Sequence, residues 1–148
     1  SKLEKAILAM AVKEGEAIAM LKRSLSEETL WKCVVMFRDC RLKTMSGLPF
    51  SYKLKIGHDG EFTKEIWIDR RKNSKSLAWS SVLLALGNIR ELGEVVDRPK
   101  ALGDVRGVSY IYAMFYRFGL IDVPEKVKGK MDNVGVLDEL MINELIIK

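Results

Sequence analysis

The sequence predicts an α+β domain, mostly helical, with one antiparallel β-hairpin at about residues 50–69. Three observations lead there. Apolar residues recur at three- and four-residue steps before Gly47 and again after Ser74. Between them the period switches to alternation, from Phe50 to Ile68, and the turn cluster Gly57-His58-Asp59-Gly60 divides that stretch in two. The chain has 148 residues, 48% of them apolar and 30% charged, which fits one compact domain over 1–148 with a core of its own.

Residues 2–23 carry Leu3, Ile7, Met10, Ala11, Ile18 and Leu21 on a helical stripe. Ser24 or Ser26 is placed to cap a second helix, with Glu27 and Glu28 in its first turn. That helix turns Leu30, Cys33, Val34, Phe37 and Cys40 inward and runs on through Arg38, Arg41 and Lys43, until Gly47 and Pro49 stop it. Phe50, Tyr52, Leu54 and Ile56 then face Phe62, Ile66 and Ile68 across the hairpin, with Lys64 the odd member of that face. Parity favours Ile56 opposite Phe62 and Leu54 opposite Lys64, since a slip of one residue turns a strand inside out. That register sets Lys55 against Thr63, Lys53 against Glu65 and Ser51 against Trp67 on the outer face. A lone hairpin is marginal in water, so this one must lean on helices or gain strands from another chain.

A third helix is predicted from Ser74 or Ser76 through Leu77, Ala78, Trp79 and onward to Ile89, apolar nearly all round and therefore central. Residues 97–107 read as a loop. Val108, Ile111, Tyr112, Phe115 and Phe118 fit a helix ending at Gly119, although the β-formers there keep a strand open. Val136 to Lys148 is the last element, with Leu137, Leu140, Met141 and Leu145 on one face. The order is α-α-β-β-α-α-α, with helices covering one face of the hairpin.

Several chemistries are poorly supplied. There is one histidine, His58, and no cysteine pair at metal-ligand spacing. Cys33 and Cys40, seven apart on one predicted helix, would lie about 10 Å apart, too far for a disulfide. They read as small buried side chains in a reducing compartment, cytoplasmic or nuclear. No apolar run approaches the roughly 20 residues of a membrane helix. Gly103-Asp104-Val105-Arg106-Gly107 has the makings of a backbone anion nest, but neither a Gly-x-Gly-x-x-Gly pattern nor a P-loop lysine accompanies it. Neither a catalytic residue nor a cofactor is predicted.

Charge is unevenly spread. The chain's net charge is +5, and the stretch Arg38–Lys75, with ten Lys+Arg against five Asp+Glu, accounts for all of it. The expectation is a non-enzymatic nucleic-acid-binding domain. Lys53, Lys55, Arg70, Arg71, Lys72 and Lys75 neutralise RNA or DNA phosphates, Trp67 stacks a base, and Asn73 and Ser74 donate to a phosphate. The competing reading is a solvated face that serves solubility. An anionic membrane surface or an acidic protein satisfies the same charge, so the runner-up is a self-associating structural protein, matrix-like or adaptor, forming a homo-oligomer. Tyr112 and Tyr116 would lie on one helical face, either as aromatic core or as a partner-binding surface. The apolar Leu145-Ile146-Ile147 end either docks on its own core or meets a partner subunit.

Overall fold

A computed structural model describes residues 1–69 and 75–132. Its elements are α1 (Lys2–Arg23), α2 (Glu27–Met36), β1 (Leu42–Lys43), β2 (Pro49–Ile56), β3 (Phe62–Asp69), β4 (Lys75–Ala78), α3 (Trp79–Ile89), α4 (Val108–Arg117) and α5 (Glu125–Met131). A 3-10 turn lies at Pro99–Leu102. The strands form one antiparallel sheet in the order β1-β2-β3-β4, so the domain is α+β. The predicted helix from Val136 to Lys148 lies outside the described residues.

Ser26 is the cap of α2; its hydroxyl oxygen accepts the Thr29 amide at 3.2 Å. The helix stops at Met36, well short of the predicted Lys43. Phe37 remains fully buried as its C-cap residue. Asp39 then takes a left-handed conformation, φ 65°, and its amide donates to the Tyr52 carbonyl at 2.8 Å. This turn redirects the chain so that Leu42 pairs with Phe50 and Lys43 with Pro49. Helical spacing through Phe37 and Cys40 loses to strand pairing because pairing buries Leu42 and also satisfies its backbone.

Ile56 faces Phe62 as predicted, with residues 57–61 in the loop. Beyond that the predicted register is corrected. An irregularity between Leu54 and Ile56 shifts the ladder, so Leu54 faces Ile66, Tyr52 faces Ile68, Lys53 faces Trp67 and Ser51 faces Asp69. Because the shift is two residues, strand parity is unchanged, although Ile56, predicted to face inward, is 68% exposed. The gain is chemical: Leu54 meets an isoleucine, and inward-facing Lys64 is released to find a charge. Its ammonium reaches Glu27 Oε1 at 3.5 Å and lies 5.6 and 5.8 Å from the ring centres of Trp31 and Trp79. The Trp79 indole donates to the same carboxylate oxygen at 2.8 Å. One inward lysine thereby ties α2, β3 and α3 together.

Leu77 and Ala78, expected in the third helix, belong to β4, with Ser76 opposite Trp67 and Leu77 opposite Ile66. The hairpin thus gains its supporting strand from its own chain. The following helix is less enclosed than its composition suggested: Val82 and Ala85 are buried, but Leu84 is 63% exposed. Residues 108–117 are helical, which closes the strand alternative. Gly107 precedes them with φ +77°, and a Cβ there would meet Leu77 Cδ1 at 2.6 Å, so glycine lets α4 start hard against β4. The inner sheet face (Phe50, Tyr52, Ile66, Ile68, Leu77) and the helices share one core with Leu30, Phe37, Ile111 and Phe115. Among the described residues the other sheet face stays open.

Candidate nucleic-acid interface

Alternation along β2 and β3 sends Ser51, Lys53 and Lys55, with Thr63, Glu65 and Trp67, to the open face. Lys53 and Lys55 are exposed and Trp67 half-buried. Lys53 stands directly across from Trp67, and the Lys55 ammonium lies 3.7 Å from the centre of the indole ring. A cation over an exposed indole is worth about 0.5–1 kcal/mol, enough to hold Lys55 above the ring. Neither lysine forms an ion pair among the described residues. Two carboxylates of this face lie near them: Glu65 accepts the Ser76 hydroxyl at 2.5 Å, and Asp69 stands opposite Ser51, diagonal to Lys53. Trp67 is therefore not covered by the N-terminal helices; it sits between two lysines on a solvent-facing sheet.

The remaining cations are dispersed. Lys75 pairs with Ile68 and so lies on the opposite side of the sheet from Lys53 and Lys55. It borders a shallow cavity of about 460 Å³ together with Ser76, Ser81, Arg106 and Gly107. Strand parity thus separates Lys75 from Lys53 and Lys55. Lys64 is spent on Glu27, and Arg38 lies 5.2 Å over the Phe62 ring while donating to the Val35 carbonyl. Arg70, Arg71, Lys72, Asn73 and Ser74 lie outside the described residues. The residues flanking them, Asp69 and Lys75, sit at the Ser51 end of the sheet, nearer to Lys53 than to Lys55.

The other candidates resolve differently. Tyr112 is fully buried and its hydroxyl donates to the Val96 carbonyl, so it is core and has no surface to offer a partner. Burial pushes its phenol up to about 12. Tyr116 is half-buried and donates to Asp132. Leu145 and Ile146 lie outside the described residues. His58 is exposed in the turn between β2 and β3. Among the described residues no three His, Cys, Asp or Glu side chains gather as metal ligands, and no helix is long and apolar enough to cross a membrane. Cys33 is buried, and burial pushes its thiol up to about 11. Sequence reasoning named Arg106 only as part of an anion nest. Its place beside Lys75 depends on the approach of α4 to β4, which spacing along the chain does not encode. No protein family, curated protein or solved structure matches the chain.

Proposed function

We propose that this domain binds nucleic acid without catalysis, laying a single strand across the open face of its sheet. The observation that supports the reading is Trp67 set between Lys53 and Lys55 on that face, a stacking surface flanked by two ammonium groups without an ion pair among the described residues. A base stacks on the indole in place of the Lys55 ammonium, which swings aside and, with Lys53, takes a phosphate. Residues 70–74, which join Asp69 to Lys75 in the sequence, carry two arginines and a lysine. A buried Cys33 with a single further cysteine, Cys40, suits a reducing compartment, cytoplasmic or nuclear.

The test is a titration of the whole chain with labelled single-stranded RNA, single-stranded DNA and phosphatidylserine vesicles at two salt concentrations. Binding to one or both nucleic acids should weaken steeply with salt. Lys53→Glu with Lys55→Glu should lower affinity at least about tenfold by removing two phosphate contacts and adding two repulsions. Vesicle binding alone, or nucleic-acid binding untouched by this double substitution, would remove the proposal.

A further inference from the structure

Lys75 and Arg106 reach one place from separate parts of the sequence. Lys75 opens β4 on the strand face that carries buried Leu77, the side of the sheet that meets the helices. Arg106 lies in the loop ahead of α4, just before Gly107, whose close approach to Leu77 starts that helix against the strand. Packing of α4 on β4 therefore sets an ammonium and a guanidinium on the wall of the same cavity of about 460 Å³, together with Ser81 from the first turn of α3. Among the described residues no carboxylate lines that cavity, and neither cation enters an ion pair. Residues 70–74, next to Lys75 in the sequence, contain no acid either. Two cations held at one wall repel each other and are drawn to an anion between them.

Size and charge narrow the anion. The cavity falls within the roughly 300–1,000 Å³ of small-molecule sites. A phosphate monoester carries about −1.5 to −2 charges at pH 7 and three strong acceptor oxygens, which matches two cations where a carboxylate brings a single charge. The planar fork of Arg106 can take two of those oxygens and the Lys75 ammonium a third. Both α3 and α4 begin at this wall, through Ala78 and Gly107, without a side-chain cap, so their dipoles add to the field the cations set. Lys75, Gly107 and Tyr110 also border a second hollow of about 480 Å³, edged by Met45, Leu48, Val105 and Val108. Those apolar side chains suit the organic part of the same molecule.

We infer that the junction of β4, α3 and α4 binds a small phosphate monoester, with its phosphoryl group between Lys75 and Arg106 and its organic part toward Met45 and Leu48. Lys75 lies on the other side of the sheet from Trp67, so this site does not depend on a strand bound at the open face.

Isothermal titration of the full chain with inorganic phosphate, adenosine 5′-monophosphate and adenosine, at constant ionic strength, tests this. Adenosine should bind at least about tenfold more weakly than its monophosphate, the worth of the lost charged hydrogen bonds. Arg106 is exposed, so Arg106→Gln leaves the core in place; it should weaken the monophosphate by at least about tenfold. Lys53→Glu with Lys55→Glu should leave that affinity unchanged. Binding of neither phosphate nor the monophosphate overturns the inference, as does adenosine binding equal to the monophosphate or indifference to Arg106→Gln. Loss of monophosphate binding in the open-face variant, with Arg106→Gln unaffected, would place the phosphate beside Trp67 and overturn it too.

Discussion

Replacing Tyr52 by Phe removes one oxygen and should cost the fold about 2 kcal/mol, a value in the range for a buried group losing its partner. Tyr52 is fully buried, and its hydroxyl donates to the Val34 carbonyl at 2.5 Å. That carbonyl belongs to the last turn of α2, where helix geometry leaves acceptors without donors. Its neighbours are served locally: Phe37 donates to Cys33, and Arg38 to Val35 through both backbone and side chain. Val34 is served from the sheet. Phenylalanine fills the same space, so no cavity arises and the loss isolates the hydrogen bond. For a domain of this size 2 kcal/mol lowers Tm by about 4–8 °C. Urea unfolding followed by tryptophan fluorescence measures it, with m unchanged. A loss below about 0.5 kcal/mol would mean that Val34 finds another donor, and that the sheet does not cap α2.

Three further outcomes follow from groups the fold engages. The Glu27 carboxyl is held below the ordinary glutamate range, first by the Trp79 indole N–H and then by Lys64, against desolvation. A lowered native pKa gives stability that is present above about pH 4.3 and lost as pH falls through the native value, so Glu27→Gln should flatten the acid unfolding curve; identical acid midpoints would refute it. Burial raises the phenols of Tyr112 and Tyr116 to about 12 and that of Tyr52 well above its usual value. Raised acids stabilise below about pH 10 and lose that contribution as pH climbs toward 12, so phenolate absorbance should appear together with unfolding rather than before it. Gly107→Ala must hold φ +77° and meet Leu77 Cδ1 at 2.6 Å, a loss of about 1–2 kcal/mol or more in urea unfolding; an unchanged midpoint would show that α4 can back away from β4.

Local pattern carried much of this fold. Alternation from Phe50 to Ile68 located β2 and β3 and assigned each side chain to its face, because parity survives a two-residue shift in register. It did not locate β1 or β4, which are two and four residues long and owe their state to pairing with Phe50 and Ile66. Leu77, Ala78 and Trp79 read as one helical run, yet the first two are strand and the third begins α3. Of the site, Lys53, Lys55 and Trp67 were legible for the same reason of parity. The register was not, so Glu65 rather than Trp67 was expected opposite Lys53. Lys64 looked out of place in sequence because its partners come from α2 and α3, distances no periodicity contains.

The inner-face residues are accounted for by the core, but Trp67 is not. Threonine or valine would serve the strand equally well at a half-exposed position and present less apolar surface to water. The contact with Lys55 returns only about 0.5–1 kcal/mol. Folding and function therefore part at this residue, and Trp67→Thr separates them. Stability should fall by less than about 1 kcal/mol, the worth of the lost ring contact. Affinity for single-stranded nucleic acid should fall by about 1–3 kcal/mol, the worth of one stacked base, which is a factor of roughly 5–150. Equilibrium unfolding and fluorescence anisotropy on the same preparation read both quantities. A stability loss above about 2 kcal/mol with binding unchanged would assign the indole to the architecture of the sheet and leave its open face without a ligand.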